Sequence, residues 1–209
     1  MYLVNNIDID KDTVTGVYGD KLDLLKLGYQ FQGISFDDEW TVRRFLNGYK
    51  IKIDSEILNI FSDLEISYSL LKRKIKDLSK GQFKLILFVY SIYNKKNNIC
   101  LDYFDIGLSY KYKKRIINYI KNKYKGTMMV ISNDLVFLNS ISSNLLYVKD
   151  GKVIYSGNFN DFYKKKYKID YPKCIEFIRL ANKKGAKLTY TVDNKELLKD
   201  IYRSVRWGI

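Results

Sequence analysis

The sequence contains no histidine, only two cysteines and no long apolar run. The absence of histidine excludes Ser-His-Asp and Cys-His nucleophile systems and removes the commonest metal ligand. Cys100 and Cys174 are far apart and in no C-x-x-C pattern, which favours reduced, buried thiols over a disulfide or a metal site. Any catalysis must therefore use carboxylates, lysines or backbone dipoles.

The longest apolar run extends from Leu85 to Tyr93, about half of the roughly 20 residues that a membrane-spanning helix needs. The first ten residues lack a basic segment and carry acidic residues early, so they do not read as a signal peptide. The sequence therefore predicts a cytoplasmic protein.

Basic residues outnumber acidic ones by 37 to 23, which gives a formal net charge of +14. Such a charge favours an anionic partner: nucleic acid, an acidic membrane surface or nucleotide phosphate. However, lysine, asparagine, isoleucine and tyrosine are abundant throughout, and a bias of that kind adds lysines everywhere. The charge alone therefore does not select among these partners.

Hydrophobic periodicity predicts an α/β fold with a largely parallel sheet, because helical segments alternate with short buried strands. Strands are expected over 14–21, 98–102 and "TMMVIS", and Asp150-Gly151 marks a hairpin in "NLLYVKDGKVIYSG". Helical spacing covers 54–76, the segment after Ser79, and 110–124. The tail from Phe159 predicts a helix over 174–184, a strand "KLTYTV" and a helix opened by Asp193.

The helix after Ser79 begins in an unusual way, with the sequence "LSKGQ". Ser79 and Gln82 have the spacing of a capping box, in which each side chain satisfies a backbone N–H of the first turn. Glycine in a first turn weakens a helix and is more useful where something approaches the backbone closely. A helix N-terminus with Lys80 and Gly81 is suited to a phosphate. A purely structural capping box stays open as the alternative.

Asp102 ends the buried strand "NICLD". In a parallel α/β sheet ligands sit at the carboxyl ends of the strands, and an acid placed there commonly anchors Mg²⁺ bound to nucleotide phosphates. Alternatively, Asp102 only caps the turn that follows the strand.

In order along the chain, these motifs resemble the ATP-binding domain of ABC transporters. "LSKGQ" is similar to the family's signature motif, and "ICLDYFDIGLS", with Asp102 twenty positions after Gln82, resembles Walker B and the D-loop. "GYQFQGISFDDEWTVRRFLN" is similar to the Q-loop, with Gln32 as its glutamine. "MMVISND" resembles the switch strand, and "LLYVKDGKVIYSGNFNDF" the closing hairpin.

The resemblance implies a truncated P-loop NTPase (ABC ATPase-like) core over about 1–160. It further implies a helical subdomain at about 33–78 and a reduced antiparallel β-subdomain. Residues 161–209 would form a small α/β C-terminal extension.

The phosphate-binding loop departs from the family pattern. A working P-loop reads G-x-x-x-x-G-K-[ST], whereas this chain has "GVYGDKLDLLKLGYQFQ". Gly16, Gly19 and Lys21 resemble remnants of the loop. Asp20 adds negative charge to an anion site, and no serine or threonine follows Lys21.

The resemblance also identifies replaced catalytic residues. Tyr103 stands at the position of the catalytic glutamate, and a tyrosine cannot act as a base near neutral pH. Asn133 replaces the switch histidine and Ser109 the D-loop aspartate. This joint loss predicts that the chain does not hydrolyse ATP with its own Walker site. The sequence identifies no firm metal ligand. A true ATPase using Lys21 in a short P-loop remains a third reading.

The signature motif is retained, and family members pair head to tail so that each signature helix caps the γ-phosphate of the partner's site. Ser79, Lys80, Gly81 and Gln82 are therefore expected to bind nucleotide in trans. ATP and Mg²⁺ would occupy a site shared with a second ABC ATPase subunit that has an intact Walker A, and the isolated chain would bind neither.

A transmembrane permease subunit is the second expected partner. Asp37, Asp38, Glu39 and Trp40 lie where the family receives the permease, although Trp40 could equally belong to the core. The alternative is a non-transport regulatory or nucleic-acid-associated protein on the same fold. Segment 110–124 is basic with interleaved aromatics, but a helix after Walker B is usually an outer, solvated helix, so nucleic acid is disfavoured.

Overall fold

The computed structural model describes residues 2–4, 7–9, 11–19, 36–93 and 98–206. In chain order the elements are β1 (Tyr2–Val4), β2 (Ile7–Ile9), β3 (Val14–Gly19), α1 (Val42–Gly48), α2 (Ser55–Asp63), 3₁₀ helices at Tyr68–Lys72 and Ile75–Asp77, α3 (Lys80–Tyr93), β4 (Asn98–Asp102), α4 (Tyr110–Asn122), β5 (Thr127–Ile131), α5 (Leu135–Ile141), β6 (Asn144–Lys149), β7 (Lys152–Asn158), α6 (Phe159–Lys164), α7 (Lys173–Lys183) and α8 (Asn194–Arg206). The predicted alternation of helices and strands is confirmed.

The main sheet has five strands in the order β4-β5-β3-β6-β7. The first four strands in that order run parallel to one another, and β7 pairs antiparallel with β6. The turn between β6 and β7 places Asp150 and Gly151 at φ values of 51° and 68°, the left-handed conformations that a tight hairpin turn requires. The predicted largely parallel sheet and its closing hairpin are therefore confirmed.

A second, smaller sheet pairs β1 with β2 in antiparallel register, from Tyr2 opposite Ile9 to Val4 opposite Ile7. The reduced antiparallel β-subdomain is predicted between the P-loop remnant and the Q-loop, and residues 20–35, which join these motifs, lie outside the described residues.

The hydrophobic core covers both faces of the main sheet. Alternation along each strand sends one set of residues towards the helices, where Leu101, Val130 and Leu145 join a cluster that continues through α1 to α8. The alternate residues, such as Cys100, form a smaller cluster on the other face, against which Tyr103 packs. The carboxyl ends of the strands are thereby held at one edge of a sheet that is buried on both sides.

The helical segment predicted over 54–76 is interrupted, which corrects the sequence-based expectation. α2 ends at Asp63, and Glu65 takes a left-handed φ of 51°. The N–H of Ile66 returns to the carbonyl oxygen of Phe61 at 2.7 Å, so the chain turns out of the helix and continues through two 3₁₀ helices.

The strand predicted for "KLTYTV", residues 187–192, is wrong because this segment joins no sheet. Side chains bind its backbone instead: the Asn182 amide donates to the carbonyl oxygen of Leu188 at 2.9 Å and accepts from its N–H at 2.8 Å. The N–H of Thr189 donates to the Asp200 carboxylate at 2.7 Å. The regular elements described after β7 are therefore all helices.

Candidate functional site

α3 opens with the predicted capping box. The Ser79 hydroxyl accepts from the N–H of Gln82 at 3.1 Å, and the Gln82 side-chain oxygen accepts from the N–H of Ser79 at 2.9 Å. Both Ser79 and Lys80 are exposed. The two reciprocal bonds satisfy donors of the first turn and fix its geometry, so the capping prediction is confirmed.

Gly81 is buried against the ring of Tyr112, which projects from α4. A Cβ at position 81 would lie 2.6 Å from Cδ2 and 2.7 Å from Cε2 of that ring. The close approach expected at this glycine is therefore made by an aromatic side chain of the same chain. Contact with Tyr112 explains glycine at 81 without a ligand, whereas Ser79 and Lys80 remain at the surface.

Asp102 lies at the carboxyl end of β4, opposite Ile131 of β5, and is half-buried. Its position at the strand end is as predicted. Across the sheet, β3 also directs its carboxyl end to this edge and ends at Gly19. The retained acid and the start of the proposed P-loop remnant therefore share one edge of the sheet.

Tyr103, predicted to stand at the position of the catalytic glutamate, connects the ends of two of these strands. Its φ is 43°, an uncommon left-handed conformation for a non-glycine residue, and its N–H donates to the carbonyl oxygen of Ile131 at 3.0 Å. Its hydroxyl donates to the carbonyl oxygen of Gly19 at 2.8 Å. Because β5 lies between β4 and β3, the half-buried phenol crosses the end of β5.

The two glycines of the proposed P-loop remnant have structural roles. Gly16 lies inside β3, paired with Val130 and Leu145, and a Cβ there would lie 3.0 Å from Oγ of Ser142 and 3.3 Å from Cβ of Leu138. Gly19 has a φ of 95°, and a Cβ would lie 2.1 Å from the Val148 carbonyl oxygen. Lys21, the third residue of the remnant, and Gln32, the predicted Q-loop glutamine, lie outside the described residues.

Asn133, predicted to stand at the position of the switch histidine, is exposed just after β5. The flanking residues fix the turn: Ser132 is fully buried, and its hydroxyl accepts from the N–H of Asp134 at 2.9 Å. Asp134 in turn caps α5 by accepting from the N–H of Phe137 at 2.9 Å. Asn133 therefore lies on a rigid turn at the edge where β4 and β3 also end.

Two lysines that the sequence analysis did not identify fix the segment after Tyr103. Lys84 of α3 donates to the carbonyl oxygen of Phe104 at 2.9 Å and to that of Ile106, and burial lowers the pKa of its amine. Lys113 of α4 lies 3.4 Å from the buried carboxylate of Asp105 and 3.0 Å from that of Asp134.

The pKa of Lys113 reflects two opposing influences. Burial by itself lowers the pKa, but the hydrogen bond with Asp134 and the charges of Asp134 and Asp105 outweigh it, and the net shift is upward. No sequence motif marks either lysine. Lys84 acts through Phe104, 20 positions away, and Lys113 through Asp105 and Asp134, 8 and 21 positions away.

The described ranges contain neither a cluster of metal ligands nor a membrane-spanning helix. In these ranges no three Cys, Asp or Glu side chains are arranged to hold a metal ion. None of the helices there is long and apolar enough to cross a bilayer.

No protein-family model matches the sequence. The chain is 27% identical over 146 residues to the probable ATP-binding protein YbiT of Escherichia coli O157:H7, a match that covers 68% of the chain. It is 26% identical over 144 residues, 67% of the chain, to the tungstate uptake system ATP-binding protein TupC of Campylobacter jejuni. These matches span 27% and 43% of the two relatives' own lengths.

Solved structures resemble the fold. A putative metal-chelate type ABC transporter in an inward-facing conformation superposes with a TM-score of 0.58 at 19% identity, covering 73% of this chain and 74% of that one. An archaeal ribosome recycling factor, in complex with a ribosomal stalk protein, gives a TM-score of 0.60 at 17% identity over 95% of this chain and 43% of that one. At these identities the structures establish the likeness of fold.

Proposed function

Because this chain is an ABC-type ATPase cassette in fold and a relative of ABC ATP-binding proteins in sequence, we propose that it is a degenerate cassette that works beside a competent ATPase subunit. Its LSKGQ face, exposed at Ser79 and Lys80, would complete the partner's nucleotide site, so that ATP and Mg²⁺ lie between the two subunits. The same chain would dock on a membrane permease from the cytoplasmic side.

The bond between Tyr103 and Gly19 is the observation that carries this proposal. The phenol is in hydrogen-bond contact with the end of β3, and Tyr103 is the residue that we align with the family's water-polarising glutamate. A tyrosine whose proton is donated to a backbone carbonyl is not available to accept a proton from water at neutral pH. The geometry therefore argues against hydrolysis in the chain's own site.

The start of α3 supports a role in trans. Ser79 and Lys80 are exposed and rigidly presented by the capping box at the N-terminus of a 14-residue helix. The partial positive charge of a helix N-terminus favours an anion by about 0.3–1 kcal/mol when exposed, and by more when a partner excludes water. Lys80 adds a full positive charge next to it.

The loop from Asp37 to Trp40 supports permease docking. Asp37, Asp38 and Glu39 are exposed, while Trp40 is half-buried with the Arg44 guanidinium 5.3 Å from its ring centre. An aromatic that is partly buried at a rigid surface with charged neighbours has the composition of an interface anchor.

The second candidate is a regulatory protein without a transport role. Its support is that the archaeal ribosome recycling factor superposes on 95% of this chain, against 73% for the metal-chelate type transporter. Nucleic-acid binding through α4 is disfavoured, because Lys113 and Arg115 of α4 and Lys123 directly after it are paired with acidic residues of this chain.

Purification from the native host separates the two candidates. The chain, tagged at its C-terminus and extracted in mild detergent, should carry with it an ATP-binding subunit that has an intact P-loop and a multi-spanning membrane protein. Mass spectrometry identifies both. Recovery of ribosomes, nucleic acid or soluble proteins alone would contradict the transporter proposal and support the second candidate.

ATPase assays on the assembled complex test the role of the LSKGQ face directly. Ser79→Arg should abolish turnover while assembly persists, because it places bulk and charge at the γ-phosphate position. Ser67→Arg is the matched control, since Ser67 is also an exposed serine at the start of a helix, where its hydroxyl accepts from the N–H of Ser69. Equal turnover in both variants would disprove the trans role.

Lys21→Ala tests the remaining alternative, in which the chain uses its own P-loop remnant. The proposal expects unchanged turnover of the complex and no micromolar binding of Mg·ATP to the isolated chain. A large loss of turnover, together with Mg·ATP binding by calorimetry, would favour a true ATPase.

A further inference from the structure

α8 is anchored to the rest of the protein by one of its faces. Leu197 is buried, and with Ile201 it packs in the main hydrophobic cluster. Asp200 accepts a hydrogen bond from the N–H of Thr189, and the Asp193 carboxylate caps the helix by accepting from the N–H of Lys195 at 2.8 Å. The orientation of α8 about its own axis is therefore fixed.

A second apolar stripe of α8 faces away from this core. Leu198, Tyr202 and Val205 have relative exposures of 53%, 73% and 76%, and their spacing of four and three residues aligns them on one side of the helix. At 3.6 residues per turn, Lys195 and Lys199 follow one flank of the stripe, whereas the acidic side chains of α8 lie beyond them. The ion pair of Lys199 with Glu196 is exposed on both sides and leaves the amine accessible to solvent.

The segment that surrounds α8 is positively charged, like the lysines that flank the stripe. Residues 161–209 contain thirteen basic and six acidic residues, a net charge of +7, which is half of the charge of the chain in under a quarter of its length. Five large apolar side chains on α7 and α8 are exposed: Phe177, Leu180, Leu198, Tyr202 and Val205.

We propose that α8 is a membrane-surface helix that lies flat on an anionic lipid bilayer, with Leu198, Tyr202 and Val205 inserted at the headgroup boundary. An exposed apolar stripe flanked by lysines is the arrangement that binds such an interface, and a fixed inward face prevents the helix from burying the stripe against its own protein. This contact needs no protein partner, so it goes beyond the function proposed above.

Other occupants fit the stripe less well. Nucleic acid would stack on aromatic rings, but two of the three stripe residues are aliphatic. In a twofold pair of α8 helices, Lys195 and Lys199 of both copies would lie near one another in chains of net charge +14. An anionic lipid surface satisfies both the apolar stripe and its basic flank.

Flotation of the full chain with lipid vesicles tests the proposal. The chain should float with vesicles that mix phosphatidylglycerol and phosphatidylcholine, and only weakly with phosphatidylcholine alone. Lys195→Glu with Lys199→Glu should lower the partition coefficient about tenfold or more, since each basic residue near an anionic surface contributes about 1 kcal/mol. Lys121→Glu with Lys125→Glu is the matched control and should leave binding nearly unchanged.

Leu198→Ser with Tyr202→Ser tests the apolar stripe independently. These residues point outward, so circular dichroism should show an intact fold, while flotation is lost; Ile154→Ser, an exposed residue of β7, should float like the wild type. The lipid assignment would be overturned if the control variants lost flotation equally, or if the wild type did not float with anionic vesicles. It would also be overturned if single-stranded nucleic acid competed with the vesicles, or if the chain self-associated in a way that the stripe variants abolish.

Discussion

The hydroxyl of Tyr103 donates a hydrogen bond of 2.8 Å to the carbonyl oxygen of Gly19. The bond joins the residue after β4 to the last residue of β3, across the end of the strand between them. Ligands of parallel α/β sheets bind at this edge. The phenol therefore acts as a crosslink between the ends of two strands at this edge.

Tyr103→Phe removes this hydrogen bond and leaves the ring in place. The free energy of unfolding should fall by about 1 kcal/mol, the usual net contribution of one intramolecular hydrogen bond, with the Gly19 carbonyl losing a partner. Urea denaturation measures the change. Tyr110→Phe is the control, because Tyr110 is highly exposed, and it should have no measurable effect. Equal stability of the two variants would mean that the crosslink contributes nothing.

Gly81→Ala should destabilise the chain by about 1–3 kcal/mol, because the new methyl group collides with the Tyr112 ring and adds volume to a packed contact. Tyr112→Ala should remove the collision, so the double variant should be more stable than the sum of the two single changes predicts. A double-mutant cycle in urea gives this coupling energy. Additive effects would show that the ring is not what requires glycine at 81.

The same double variant separates structural and functional roles of Gly81. If glycine is needed only for Tyr112, Gly81→Ala with Tyr112→Ala should restore the ATPase activity of the assembled complex along with stability. If a phosphate also approaches this backbone, stability should recover while turnover stays low.

Glu39 should make stability depend on acid pH. Its hydrogen bond with Lys74, at 2.8 Å, and that with Lys76 hold the pKa of the carboxyl at about 2, against the ordinary 4.5. A lowered pKa means that the stabilisation is present above the ordinary value and is lost as the pH falls towards about 2. The urea midpoint of Glu39→Gln should thus lie below that of the wild type near neutral pH, and the difference should shrink through this window.

The side chains of Glu39, Lys74 and Lys76 are all exposed. Added salt should therefore also shrink the difference in urea midpoint between the wild type and Glu39→Gln. Lys74→Met should show the same pH dependence, but its urea midpoint should lie closer to that of the wild type because Lys76 remains. If the difference in urea midpoint persists unchanged below the ordinary pKa of Glu39, the stabilisation comes from packing and not from charge.

Sequence patterns predicted the elements that local chemistry determines. The apolar run 98–102 became β4, the capping box opened α3, and Asp150-Gly151 made the hairpin turn. Each of these signals lies within a few residues of the structure it specifies. The order of the motifs then led to the cassette fold, which the comparisons support.

Features that depend on distant partners were not predicted. The segment 187–192 alternates like a strand, but Asn182 and Asp200 bind its backbone. The sequence predicts a ligand approaching Gly81, whereas the close contact there is with Tyr112 from another helix. The crosslink from Tyr103 joins residues 84 positions apart, and no local pattern encodes such a contact.

Lys113 is the residue whose loss should affect the site most. Its amine faces the carboxylates of Asp105, which is buried, and Asp134. Lys113→Met should lower the free energy of unfolding by about 3 kcal/mol, because removing one partner leaves a buried charge uncompensated. Adding Asp105→Asn should restore most of this loss in urea denaturation, since the charge that needed the lysine is gone. If Asp105→Asn fails to rescue Lys113→Met, the lysine stabilises the fold mainly through Asp134 and its contact with the Phe137 ring, 5.6 Å away.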